Sequence, residues 1–245
     1  MKTRLDQLLV ARGLAASRTV AQALILEGKV RVAGQVETKA ARTLPEDAPV
    51  EVEAPPRFVS RGGEKLEGAF AKFPGWTVDG RVCLDVGSST GGFTDCMLQH
   101  GAARVMAVDV GTNQLAYKLR TDPRVWVKEN FNARFMTAAD LPETPSLAVT
   151  DVSFISLKLI LPPIVRVLES GGEIVALIKP QFEVGKGKAP GGLVRDERLR
   201  LEARDEIVRF ATEELGLELL GLAESPIRGK EMGNIEYLSY WRKGT

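Results

Sequence analysis

The chain has 245 residues, 44% hydrophobic and 27% charged, with a formal net charge of +1. That suits a soluble globular protein with room for one large domain plus a small one, and it excludes a polycation. Two cysteines (Cys83, Cys96) and one histidine (His100) exclude a disulfide framework and a cysteine–histidine zinc cluster, so no metal is expected.

Lys2, Arg4, Asp6 and Arg12 interrupt any apolar N-terminal core, which argues against a signal peptide. No apolar run nears the roughly 18 residues of a membrane span. A cytoplasmic location, no membrane association and no obligate protein partner are expected.

Residues 1–44 hold eight Lys/Arg against three acids. Leu5, Leu8 and Leu9 mark a first helix over 4–11, stopped by Gly13. Ser17 is the N-cap of a second helix carrying Val20, Ala21, Leu24 and Ile25, and Gly28 closes it. Lys29-Val30-Arg31-Val32 alternates as a strand, Ala33-Gly34-Gln35 turns it, and Val50-Glu51-Val52 alternates again. The small domain is therefore α+β and spans 1–55. Its basic helix face beside a short sheet suits an RNA backbone, although a solvated surface gives the same pattern. Arg4, Arg18, Lys29, Arg31 and Lys39, with Arg61 beyond, are the RNA-binding candidates. Pro45 to Pro56 then carries four acids and four prolines, marking a domain edge. Residues 56–60 are read as a linker before a second domain at 61–245. In that linker Phe58, beside Arg57, is expected to couple RNA binding to cofactor binding.

From Arg81 onward, strand candidates at 82–86, 105–108, 125–128, 147–150, 173–178 and 235–241 alternate with helical stretches. The helices include 91–100, 112–119, 156–169 and 196–215. This rhythm predicts a doubly wound α/β fold with a mostly parallel sheet. Asp85, Asp109, Asp151 and Lys179 are expected to converge at one sheet edge, beside a mobile loop at 183–195.

Val82-Cys83-Leu84-Asp85-Val86-Gly87-Ser88-Ser89-Thr90-Gly91-Gly92 reads as a buried strand breaking into a glycine turn that opens a helix. Asp109, ending the next strand, suits a ribose diol. A dinucleotide fingerprint needs G-x-G-x-x-G, and the order here is G-x-x-x-G-G. Asp85 would repel a pyrophosphate and suit the ammonium of a methionine moiety. S-adenosylmethionine is the expected cofactor, not NAD. The absence of a catalytic histidine or Tyr-x-x-x-Lys also disfavours a dehydrogenase.

Methyl transfer to a hydroxyl requires positioning of the hydroxyl and loss of its proton, which a buried lysine can take or share. Lys65, Asp151, Lys179 and Glu236 are the candidates. Lys65 equally fits an exposed helix residue, Asp151 a helix cap and Glu236 a surface strand. Lys179 closes the apolar run Ile174–Ile178, where a charge is costly unless used or paired.

The first 55 residues resemble the RNA-binding domain of ribosomal small-subunit protein S-four, through Ser17-Arg18, Ala21, Leu24-Ile25, Gly28, Val30, Val32, Gly34 and Lys39. Lys65, Asp151, Lys179 and Glu236 look like the tetrad of FtsJ-type ribose 2′-O-methyltransferases. Through SRGGEKLEGAF, CLDVGSSTGGFTDCML, TDVSFISL, LIKPQFE and GNIEYL, nearly the whole chain resembles the hemolysin A (TlyA) family of rRNA 2′-O-methyltransferases.

That resemblance implies a Rossmann-like S-adenosylmethionine-dependent methyltransferase domain acting on a cytidine of ribosomal RNA or ribosomal subunits. Lys179 would deprotonate or polarise the 2′-OH, Asp151 orient Lys179 and the methyl donor, Lys65 steer the ribose and its phosphate, and Glu236 fix the lysines. Gly87, Ser88, Ser89, Gly91 and Gly92, with Asp85, would line the methionine and ribose. Asp109 would take the diol, and Asn132 would lie near the adenine. The alternative is an RNA-binding protein whose cofactor domain is catalytically weak.

Overall fold

A computed structural model describes residues 2–54, 56–185, 187–229 and 232–245. The chain divides into two compact units, 1–56 and 57–245.

In the first unit, β1 (Lys2–Arg4) leads into α1 (Leu5–Ala11) and α2 (Arg18–Leu26). The Ser17 side chain accepts from the Val20 amide, capping α2 as its sequence predicts. Three short strands, β2 (Val30–Val32), β3 (Gln35–Val36) and β5 (Val50–Val52), form one sheet in the order β3-β2-β5. β1 and β4 (Thr43–Pro45), unforeseen in the sequence, pair separately. Leu5, Leu8, Leu9, Ala21, Ile25, Val30, Val32 and Leu44 pack into a small core.

The second unit opens with α3 (Gly62–Lys72). β6 (Val82–Val86), α4 (Gly92–Gln99), β7 (Arg104–Val108), α5 (Tyr117–Arg120), β8 (Val125–Lys128) and β9 (Leu147–Thr150) follow. Then come α6 (Leu161–Val167), β10 (Glu173–Ile178), α7 (Pro180–Glu183), α8 (Glu197–Arg209), β11 (Glu218–Glu224) and β12 (Tyr237–Arg242). The seven-stranded sheet runs β11-β12-β10-β9-β6-β7-β8. β6 to β10 are mutually parallel, and β12 runs against both its neighbours.

Strand alternation divides the core between two faces. Cys83, Val105, Val149, Val175 and Leu177 pack with Leu66, Ala69, Cys96 and Met97 of α3 and α4. Leu84, Met106, Ala148, Ile174 and Ala176 pack with Leu161, Ile164 and Ile207 of α6 and α8. No helix among the described residues is long and apolar enough to cross a membrane.

Two expectations need correction. The helix expected at 112–119 is reduced to Tyr117–Arg120. The amides of Asn113, Gln114 and Leu115 donate instead to the Glu129 carboxylate, at 2.9, 2.9 and 3.2 Å, and Asn113 is left-handed. The stretch 156–169 splits into a 3-10 turn, Leu157–Leu159, and α6, because Pro162 and Pro163 fit only a helix start. Toward the end of the 183–195 stretch, the Asn234 amide donates to the Gly192 carbonyl at 2.7 Å and its oxygen accepts from the Val194 amide at 3.0 Å.

Candidate active site

Parallel strands deliver their C-terminal ends to one edge. Gly87, Asp109, Asp151 and Lys179 each follow the last residue of β6, β7, β9 and β10. β12 runs the other way, so its start lies at the same edge. Tyr237 pairs with Ile178 in the register, which sets Glu236 beside Lys179.

The four candidate catalytic residues form one connected chain. The Lys179 ammonium lies 2.6 Å from Asp151 Oδ1, as an ion pair off the line of a hydrogen bond, and donates to Ser153 Oγ at 2.8 Å. Lys65, from the inner face of α3, donates to Glu236 Oε2 at 2.7 Å and to Asp151 Oδ2 at 3.4 Å. The Gln181 amide donates to Glu236 Oε1 at 3.2 Å. Lys65, Lys179 and Glu236 are all buried. Two ammonium groups thus face two carboxylates, which meets the condition for burying charge at all.

Two cavities meet at this edge. The first, of about 590 Å³, is lined by Lys65, Asp151, Lys179 and Glu236 together with Arg61 and the turn residues Gly87, Ser88, Ser89 and Gly92. The second, of about 520 Å³, is lined by Asp109, Gln114, Phe131, Asn132, Ile155 and Ile160. Gly87, Ser89, Asp151, Ser153 and Phe154 border both.

The turn between them is tightly built. Gly91 is left-handed, at φ 94°, and caps α4. A Cβ on Gly92 would lie 2.3 Å from Ser60 Oγ and 2.8 Å from the Gly63 nitrogen, so only glycine lets the segment 60–63 approach. Asp109 holds the turn from β7, accepting from the Ser89 amide at 2.8 Å and the Gly111 amide at 2.7 Å.

Asp85 departs from its expected placement. It lies inside β6 and lines neither cavity. Thr94 donates to its Oδ2 at 2.6 Å, and Oδ1 has no protein partner. Burial pushes its carboxyl up to about 7, against the Thr94 hydrogen bond and with help from Asp151. Gly91 also lies outside both cavities, against Leu115 and Leu119.

Phe58 is buried in the core of the second unit. Arg61 donates to the Arg228 carbonyl at 2.9 Å on the rim of the first cavity. In the first unit Arg4 and Arg18 both bond the wholly buried Asp6, at 3.0 and 2.9 Å, and Gln22 joins them at 2.9 Å. The Arg4 guanidinium is the main cause that holds the Asp6 carboxyl far below the usual range. Both arginines therefore have a structural task besides any contact with RNA. Lys29 pairs with Glu27 at 2.6 Å, Arg31 donates to the Gly34 carbonyl at 3.2 Å, and Lys39 is exposed.

Sequence reasoning missed Ser153, Phe154, Gln181 and Phe182, although all four lie in the segments that carry Asp151 and Lys179. Phe154 is the most conspicuous. It is 85% exposed with φ 63°, and its ring lies 5.2 Å from that of Phe182.

A glycine turn at the head of a parallel sheet, an acid closing β7, and buried lysines paired with carboxylates define a methyltransferase-type site. Residues 58–243 match the FtsJ-like methyltransferase family, and residues 3–50 match the S4 domain. The chain is 45% identical over its full length, and over 91% of the relative, to the 16S/23S rRNA (cytidine-2′-O)-methyltransferase TlyA of Mycobacterium tuberculosis. It is 44% identical to Hemolysin A of Brachyspira hyodysenteriae, over 97% of this chain and 99% of that one. A solved structure described as a candidate hemolysin from Streptococcus thermophilus superposes with a TM-score of 0.75 at 42% identity, covering 99% of this chain and 89% of the other. The chain belongs to the TlyA (hemolysin A) family of FtsJ-like methyltransferases.

Proposed function

We propose that the protein transfers a methyl group from S-adenosylmethionine to the ribose 2′-OH of a cytidine in ribosomal RNA. The observation that carries this reading is the Lys179–Asp151–Lys65–Glu236 chain, which forms the wall of one cavity and shares Asp151 with the next.

The donor set suits the cofactor. The second cavity offers a carboxylate, Asp109, for a diol, and apolar walls from Val108, Phe131, Ile155 and Ile160 for a purine. When bound, the cofactor supplies an activated methyl group. Asp109 and Asn132 would hold its nucleoside end, and Ser88 and Ser89 its amino-acid end. Gly87 and Gly92 keep the turn close enough for backbone contact, while Gly91 and Asp85 act beneath it by shaping the turn.

The first cavity takes the RNA, with its Ser88 edge left to the amino-acid end of the cofactor. Lys179, held by Asp151 and Ser153, would bond the 2′-OH as an ammonium and, once it has released its own proton, take the hydroxyl's proton as an amine. Asp151 orients that lysine. Lys65 and Arg61 supply positive charge for the flanking phosphate. Glu236, anchored by Gln181, offsets Lys65. Phe154 offers a face on which the target base stacks outside its helix. The first unit brings the RNA through Arg31, Lys39 and Lys29, with Arg4 and Arg18 at its surface. This reading places the protein in the cytoplasm, with ribosomal RNA or subunits as its partner.

Methyl incorporation from labelled cofactor into isolated ribosomal subunits and naked rRNA tests the reading, with 2′-O-methylcytidine identified in the digest. Incorporation elsewhere than a ribose oxygen, or into no ribosomal substrate, refutes it.

A further inference from the structure

On the opposite side of α3 from the tetrad, three side chains of different chemistry converge. Glu67 is two positions beyond Lys65, about 200° around the helix. Cys96 and His100 are one turn apart at the end of α4 and share a face. His100 Nε2 lies 2.8 Å from Glu67 Oε2, and Cys96 Sγ lies 3.7 Å from the same oxygen. The ligand atoms of all three lie within 4.8 Å of one another. We propose that Glu67, Cys96 and His100 form a binding site for a divalent transition metal of the zinc class, clamping α3 to α4.

Donor type and spacing support this. Sulfur, imidazole nitrogen and carboxylate oxygen together suit zinc, and in tetrahedral coordination its ligands stand about 3.3–3.6 Å apart. The His100–Glu67 separation of 2.8 Å and the Cys96–Glu67 separation of 3.7 Å lie on either side of that range. The neighbours hold the ligands in place. Arg57 takes the other carboxylate oxygen, Oε1, at 2.6 Å and leaves Oε2 toward the histidine and the cysteine. Phe70 stacks on the His100 ring at 3.8 Å, fixing its plane. His100 and Glu67 are 26% and 32% exposed, which leaves a path for an ion and a fourth position for water.

The Cys96 thiol donates to Glu67 Oε2 at 3.7 Å, so the sulfur already faces the carboxylate that would share the ion. Metal binding replaces the thiol proton, which leaves to solvent as the sulfur–metal bond forms. The ion would join the helix that carries Lys65 to the helix that the glycine turn opens. Residue counting missed this site because only one histidine and one of the two cysteines contribute, and the third donor is a glutamate.

The test uses the full-length chain, stripped with a chelator and titrated with Co2+ as a spectroscopic probe. One equivalent is expected to bind, giving visible ligand-field bands and a near-ultraviolet thiolate charge-transfer band, both lost on adding Zn2+. The charge-transfer band disappears in Cys96→Ser, and stoichiometric binding is lost in His100→Gln and Glu67→Gln, which alter half-exposed residues. No absorption from the wild-type chain, or unchanged bands in either Cys96→Ser or His100→Gln, overturns the proposal.

Discussion

Lys65 and Glu236 stand 171 positions apart in the chain, yet their side chains meet at 2.7 Å with the carboxylate only 2% exposed. Neither charge is tolerable there alone. Removing one partner of a buried pair typically costs about 3–5 kcal/mol, because the other is left uncompensated. Glu236→Ala is expected to lower unfolding stability by that order in denaturant titrations. Glu236→Gln is expected to lose less, since its amide oxygen still accepts from Lys65. Equal losses would mean that the charge alone carries the contribution and that the retained hydrogen bond adds nothing.

Lys179→Ala is expected to reduce methyl incorporation by about 100- to 10,000-fold, the usual range for a group that moves a proton in the transition state. Cofactor affinity, followed by calorimetry, should fall far less, because Asp109 and Asn132, which would hold the nucleoside end, line the second cavity and Lys179 does not. Undiminished incorporation would remove Lys179 from the mechanism.

Much of this site was legible in the sequence. The apolar runs of β6, β9 and β10, each followed by a polar residue, placed Gly87, Asp151 and Lys179 at one edge. Glu236 was named as a candidate, but its place beside Lys179 was not legible, since it depends on β12 running backward. That reversal follows from a hairpin partner, β11, whose Gly221 and bulge hide the strand pattern. The loop at 112–119 was misread because its helical spacing was real, and a distant carboxylate, Glu129, outbid the helix for its amides. Asp85 was misread because being near a strand's end is not the same as facing outward from it.

That buried carboxyl makes stability depend on pH in a defined direction. Its native pKa of about 7 lies above the ordinary value of 3.8. Between those limits the folded state holds a proton that the unfolded state has released, so stability falls as pH rises. The slope from this group is at most about 1.4 kcal/mol per pH unit. Above pH 7 the penalty is constant. Asp85→Asn is expected to flatten the profile between pH 4 and 7, and denaturant melts at several pH values measure it. An unchanged slope would show that Asp85 ionises normally.

Gly92→Ala is expected to destabilise the second unit by about 1–3 kcal/mol, as overpacking usually does. It should also weaken cofactor binding, because the added methyl would push Ser60 and the Gly63 backbone off the turn. Thermal melts with and without cofactor separate the two effects: an alanine variant that melts like wild type would mean that the 60–63 segment gives way freely.

Phe154→Ala is expected to cost about 1–3 kcal/mol of RNA affinity if one base stacks on the ring. Its exposed, left-handed position predicts little loss of fold stability. Filter binding to a single-stranded rRNA fragment checks this, with Phe154→Tyr expected to restore binding.

The reversed strand has a consequence for the order in which the protein comes into being. Lys65 is made early, with α3, while the carboxylate that balances it arrives with the last strand of the sheet. A ribosome releasing this chain has therefore produced the glycine turn, the cavities and both lysines before the charge that completes them. A nascent or truncated chain ending before β12 would carry an unbalanced ammonium in its core and leave an edge of β10 unpaired. Assembly of the site and completion of the sheet are thus one event, so partly synthesised chains have no finished catalytic wall to act with.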